Sequence, residues 1–247
     1  LQAAGMFTPA HNFKLSKFQY SMAEKKLATV SGSNEEVIAR AKDFWERNQK
    51  IIMIAAVVVI LGAGGYYGYK NFIQKPNEEK AVEAIFKAEE YYRMDSLQKA
   101  LNGDGLNPGF VKVIDKYGGT KLGNLARFYA GDCFLRTGDF NNAVKHLEKF
   151  SSSSKQLQAR AYKLLGDAYS ELGKTDDAIS SYKKAAAHFT QDRYNSADYL
   201  FFAASLAEKS GKTNDAIALY KEIKEKYPEM PQSNESDKYL AKMGVYN

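Results

Sequence analysis

The stretch "YKLLGDAYSELGKTDDAISSYKKA", residues 162–185, reads as a helix, a turn and a second helix. Its first helix holds a glycine, Gly166, although a glycine inside a helix costs about 1 kcal/mol relative to alanine. Thirty-five residues earlier Gly131 stands in "FYAGDCFLRTGDFNNAVKHLEKF", and the register holds beyond it. Phe134 aligns with Tyr169, Gly138 with Gly173, Ala143 with Ala178 and Leu147 with Tyr182. Thirty-eight residues later come Ala204, Gly211, Ala216 and Tyr220. Small residues recurring at this period predict an all-α helical solenoid.

The physical chemistry of one unit explains its residue types. Gly131, Gly166 and Ala204 let a paired antiparallel helix come close, and Ala143, Ala178 and Ala216 do the same from the second helix. Gly138, Gly173 and Gly211 end each first helix, where a left-handed residue is favoured. Asp139, Thr175 and Thr213 are expected to cap the second helices with side-chain oxygens. The repeats fall at about 120–153, 155–190 and 193–228, within a domain at 77–247. Residues 78–101 show helical periodicity through Ala81, Ile85, Ala88 and Tyr92, and "FVKVIDKY" reads as half of a degenerate repeat. A polar helix over 233–243 is expected to cap the stack.

Charge divides the chain. Residues 77–247 carry 25 Lys and Arg against 24 Asp and Glu, whereas residues 1–76 carry 10 against 5. A basic excess outside the repeats and beside an apolar run points to a membrane rather than to nucleic acid. The run is "IIMIAAVVVILGAGGYYGY", residues 51–69, free of charge and bounded by Lys50 and Lys70. Its length suits a transmembrane helix. Trp45 before it and Tyr66, Tyr67 and Tyr69 at its end resemble an aromatic belt. Its eight Ile, Val and Leu residues favour insertion by about 2–5 kcal/mol in all. A cleaved signal ending near Gly62-Ala63-Gly64 competes with this reading, but the preceding region is long and contains acids. Residues 34–50, with a capping box from Ser33 to Glu36, are expected to form a separate amphipathic helix at the membrane surface. Residues 1–33 are expected to be a disordered tail, with Met22 a candidate start. Lys and Arg are equal in number close to either end of the run, so local charge leaves the orientation open. The basic tail favours a cytoplasmic N-terminus.

No catalytic signature is present: there is no HExxH, GxxxxGK[ST], GxSxG or CxxC. His11, His146 and His188 lack ligand spacing, and His146 is expected at the surface. The lone Cys133 occupies a small-residue position on a first helix and is expected to be buried. The expectation is therefore a protein that is not an enzyme, with no cofactor, no metal and no small-molecule substrate.

The aromatic, Leu-Gly, Tyr, Ala and aromatic positions Tyr162, Leu165, Gly166, Tyr169, Ala178 and Tyr182 resemble the tetratricopeptide pattern. In that family the first helices line a concave groove. The resemblance implies groove positions Phe128, Asp132 and Leu135; Lys163, Asp167 and Ser170; and Phe201, Ser205 and Glu208. Some members bind acidic C-terminal peptides, which Asp132 and Asp167 would repel, so the implied ligand is an extended peptide or loop with apolar and basic character. Alternatively these residues only solvate the groove. Tail, single span and small repeat domain together resemble the YfgM-like ancillary subunits of the bacterial Sec translocon. That resemblance implies an inner-membrane scaffold, cytoplasmic N-terminus and periplasmic domain, partnering SecYEG and a membrane-anchored prolyl isomerase. A signal-anchored import receptor with a cytosolic repeat domain is the alternative.

Overall fold

A computed structural model describes residues 12–246, with side chains from residue 35 onward. It divides into two units, Leu1–Gly68 and Tyr69–Asn247. The expected start at Met22 falls in the portion whose side chains lie outside the described residues.

The first unit holds α1, Asn12–Tyr69. Two expectations change here. Residues 12–33, expected as disordered tail, are helical from Asn12, and the amphipathic segment and the apolar run form one helix rather than two. The reason is the absence of a stop signal. No proline lies between Pro9 and Pro76, and Gly32 between two serines weakens a helix without ending it. Ser33 is thus interior to the helix. From Ile51 to Leu61 the apolar side chains are exposed except for the half-buried Ile52, Val59 and Leu61 by 68% and 69%. None of the most apolar window is buried inside the chain. Among the described residues this is the one helix long and apolar enough to cross a membrane.

The second unit opens with a π-helical turn, Lys70–Gln74, followed by α2, Lys75–Arg93. Ala81, Ile85 and Ala88 form its buried stripe. The periodicity had extended this helix to residue 101, but it stops at Met94, and α3, Leu97–Asn102, follows. Asp95 breaks the run with φ 60°, a left-handed conformation that Asp tolerates better than most residues. Arg136 holds its carboxylate. After a loop whose Asp104 accepts the N–H groups of Leu106 and Asn107, α4 spans Phe110–Tyr117 and buries Phe110, Val113, Ile114 and Tyr117. Thus α2 with α3 and α4 makes a fourth, degenerate pair at the start of the stack.

Three regular pairs follow: α5, Lys121–Arg136, with α6, Phe140–Leu147; α7, Lys155–Glu171, with α8, Thr175–His188; and α9, Arg193–Lys209, with α10, Thr213–Lys226. α11, Pro231–Lys242, closes the stack on α9 and α10. Each helix packs mainly on its sequence neighbours, as stacking of local units demands. The core is correspondingly divided. One cluster lies among α2–α5, one around Phe128, Leu147, Phe150 and Leu164, and one among α8–α11 around Tyr220, Ile223 and Leu240.

The turns repeat atom for atom. In the middle unit Gly173 takes φ 70°; its N–H donates to the Ser170 carbonyl while the Lys174 N–H donates to the Tyr169 carbonyl. This pair of bonds satisfies carbonyls left open by the helix end. The expected caps divide. Asp139 directly follows its glycine, occupies the cap position and accepts the Asn142 N–H. Thr175 and Thr213 lie one residue further on and are already helical; Lys174 and Lys212 hold the cap positions without a side-chain bond.

Candidate protein-binding face

The small residues of the first helices set up this face. An ideal Cβ on Gly131 would lie 2.5 Å from Cγ of Leu147, and one on Gly166 2.6 Å from Cε1 of Tyr182. The residue after each small position therefore faces the second helix at close range, and in all three units it meets a phenol. Asp167 accepts from the Tyr182 hydroxyl at 2.9 Å and pairs with Lys163 at 2.8 Å. Ser205 lies 3.3 Å from the Tyr220 hydroxyl, which also donates to Glu208. In the first unit Leu147 replaces the tyrosine, and Asp132 accepts instead from Tyr92 of α2, at 2.6 Å.

These bonds correct the expected groove. Asp132 is 5% exposed and engaged by Tyr92, with Arg136 at 3.9 Å. Phe128 is 3% exposed and packs on Phe150 in the core, so it is not presented to a ligand. The reason is that α2 covers the end of the first unit and adjoining helices close over its flank. Leu135 packs against the same cluster. Asp167 is held by two partners, so it carries no unmatched charge that would repel a carboxylate. Ser170 remains half-buried. Phe201 lies edge-on to both Tyr220 and Tyr239, and Glu208 is reached by Lys242 of α11 at 3.5 Å. The nine positions thus lie along the expected helices, but most of their polar atoms bond within the chain.

Burial and the neighbouring carboxylates keep the phenols protonated. Burial, then Asp132, raises the Tyr92 pKa; burial and Asp167 raise that of Tyr182; burial pushes Tyr220 up to about 12. Each remains a donor near neutral pH. Cys133 is fully buried, and burial followed by Asp132 pushes its thiol up to about 12, which leaves no thiolate for chemistry. His146, expected at the surface, is instead 8% exposed and stacked on Phe134, with ring centroids 5.4 Å apart. Burial, then Lys145 and Arg127, brings its pKa down to about 4. Among the described residues no group of three or more His, Cys, Asp or Glu is placed to hold a metal ion.

Sequence reasoning missed Arg160, Tyr129, Tyr199 and Phe202. Arg160 sits three residues before Lys163, so extending the stripe by one turn toward the helix start would have found it. Its guanidinium carbon lies 5.9 Å from the Phe128 ring centroid, while Lys163 Nζ lies 5.0 Å from that of Phe202.

Residues 42–162 match the tetratricopeptide repeat-like domain, and residues 163–231 match the tetratricopeptide repeat. The chain is a tetratricopeptide-repeat protein. The first match begins ahead of the apolar run and extends through the degenerate pair. No curated protein matches the chain. Repeats of this kind are scaffolds for protein–protein interaction.

Proposed function

We propose that this protein is a membrane-anchored, non-enzymatic scaffold whose repeat domain holds protein partners beside the bilayer. The observation that carries the reading is the apolar stretch from Ile51 to Leu61, none of it buried inside the chain, ahead of residues that fold as a repeat stack. Leaving such a stretch in water would be unfavourable; a bilayer core covers it at no cost in unpaired backbone groups. Anchoring raises the effective concentration of the domain near integral-membrane partners.

The finer reading is an ancillary subunit of the bacterial Sec translocon, with the N-terminus cytoplasmic and the repeat domain periplasmic, joining SecYEG to chaperones such as a membrane-anchored prolyl isomerase. The support is the order of parts together with a family match that begins ahead of the apolar run. A pull-down of the full chain in mild detergent, beside a form lacking residues 50–70, tests it. Translocon subunits and a prolyl isomerase should be recovered with the full chain and lost without the span. Recovery of an unrelated set would end the translocon reading and keep the scaffold.

A further inference from the structure

The repeat domain carries almost no net charge, yet its charges are sorted between two edges. Neighbouring helices are antiparallel, so the end of each second helix, the loop after it and the start of the next first helix share one edge. With six helical residues taken on either side of each loop, residues 112–126, 142–160 and 183–198 carry ten Lys and Arg against four Asp and Glu. The intervening stretches, 127–141, 161–182 and 199–220, carry six against eight. The last junction, 221–236, carries three against four, so the basic part runs from α4 to the start of α9. Contacts join its loops. Asn124 of α5 donates its side-chain amide to the Ser151 carbonyl at 2.7 Å, and Gln156 and Arg160 of α7 line a cavity with Asp192 and Asn195 of α9. α2 enters the domain at the same edge, where Glu78 in its first turn accepts the Lys121 N–H through both oxygens, at 2.9 and 3.1 Å. Exposed Lys70 and Lys75 precede Glu78, and Lys70 bounds the apolar run.

Helix stability does not account for these cations. Lys121, Lys155 and Arg193 each open a first helix, the end at which the helix dipole disfavours positive charge. Nor does pairing within the chain. All ten cations are exposed, and among the described residues only Arg193, with Glu229, forms an ion pair. On the opposite edge three of the six cations are paired: Arg136, Lys163 and Lys212. The acids of the basic edge are mostly engaged elsewhere. Glu148 accepts from the Tyr169 hydroxyl, Asp192 caps α9 and Asp198 accepts from the Gln232 amide. Like charges gathered this way repel one another until an external anion offsets them.

We propose that this edge of the repeat domain binds the anionic phospholipid headgroups of the membrane that holds the apolar run. Eight of the ten cations are lysines, point charges that suit a diffuse layer of phosphates better than forked recognition of one group. The chain reaches this edge directly from the apolar run, which favours a bilayer over a soluble polyanion. The inference rests on the reading of residues 51–69 as a membrane anchor, and it leaves the first-helix groove free for protein partners.

The test places the full chain in nanodiscs of phosphatidylcholine, alone or with about 30% phosphatidylglycerol, and follows acetylation of each lysine by mass spectrometry. Anionic lipid should slow Lys149, Lys155 and Lys184 by about threefold or more, since it covers the amines and holds them protonated. Lys209, exposed on the opposite edge, should react unchanged, because screening confines the headgroup field to about 10 Å. Salt at about 0.5 M should remove the difference. Combining Lys145→Gln, Lys149→Gln, Lys183→Gln and Lys184→Gln should return Lys155 to its rate in neutral lipid, with circular dichroism confirming that the fold is kept. Equal rates in the two nanodiscs, or equal slowing of Lys209, overturn headgroup binding and leave the anchor intact. Slowing by added polyglutamate or single-stranded DNA, without slowing by phosphatidylglycerol, assigns the edge to a soluble polyanion and also overturns it. A chain that does not enter nanodiscs at all ends the anchor reading, and this inference with it.

Discussion

The ring of Tyr182 occupies the space that a side chain on Gly166 would need: an ideal Cβ there would lie 2.6 Å from Cε1 and 2.7 Å from Cδ1. The same ring carries the hydroxyl that bonds Asp167, so close approach of α7 and α8 and satisfaction of a half-buried acid are one arrangement. Gly166→Ala gains helix propensity of about 1 kcal/mol, but the ring must move, at about 1–3 kcal/mol for overpacking. The third unit, with Ala204 against Tyr220, shows that such a spacing can be built when both helices are set for it. We expect Gly166→Ala to lower the urea midpoint and Gly166→Leu to unfold the domain. A double cycle with Tyr182→Ala should recover much of the alanine penalty. A midpoint unchanged by Gly166→Leu would contradict the packing described.

The caps give a sharper contrast. Asp139→Ala removes a side-chain acceptor for the Asn142 N–H and should cost about 0.5–2 kcal/mol. Thr175→Ala removes no cap bond and should change stability by less than about 0.5 kcal/mol. Equal losses in denaturant titrations of the two variants would show that the cap assignments are wrong.

His146 makes stability depend on pH in a defined direction. Its pKa is near 4 in the folded chain, below the ordinary value of 6.5. The unfolded chain therefore binds the proton first as pH falls. The neutral histidine's contribution is fully present above about pH 6.5 and is lost between there and about pH 4, by up to about 3 kcal/mol. Wild type should lose more stability than His146→Leu between pH 7 and 5. Parallel pH profiles of the two proteins would refute a buried neutral histidine.

The apolar run should decide partition. The full chain should resist extraction from membranes at alkaline pH, and deletion of residues 51–69 should move it to the soluble fraction with the repeat domain's helical signal retained. A full chain released by carbonate would argue against a span.

Tyr92 tests how the degenerate pair is tied to the stack. Tyr92→Phe leaves Asp132, 5% exposed, without its 2.6 Å donor and should cost about 1–3 kcal/mol. The double variant Tyr92→Phe, Asp132→Leu should be less destabilised than the single change, since no buried acid is then left unsatisfied. Additive effects of the two changes would show that Tyr92 and Asp132 do not act together.

Much of this was legible because repeat architectures are local. The spacing of Gly131, Gly166 and Ala204 and the glycines at the turns prescribe helix pairs that need only their neighbours. The errors share one cause, contact with an element distant in sequence or a position shifted by a residue. His146 looked like a surface residue because nothing in its own helix reveals that Phe134 covers it. Thr175 looked like a cap because composition near a turn does not say which residue is the last non-helical one. Phe128 and Asp132 looked open because the repeat pattern does not show Phe150 and Leu164 packing over the first or Tyr92 of α2 reaching the second. The break at Asp95 was hidden because an acid inside a periodic run reads as an ordinary exposed position until Arg136, on another helix, holds it.

Periodicity and small-residue placement therefore decided the stacked helix pairs, and an uncharged apolar run of bilayer length decided which segment would suit a membrane. Only the tertiary structure decided which charges on the first-helix face remain unmatched. Whether an aspartate is spent or available depends on a phenol delivered from another helix, as Tyr92 is to Asp132 and Tyr182 to Asp167. Arg160 stands out because no such partner reaches it, a property of packing that no single helix encodes.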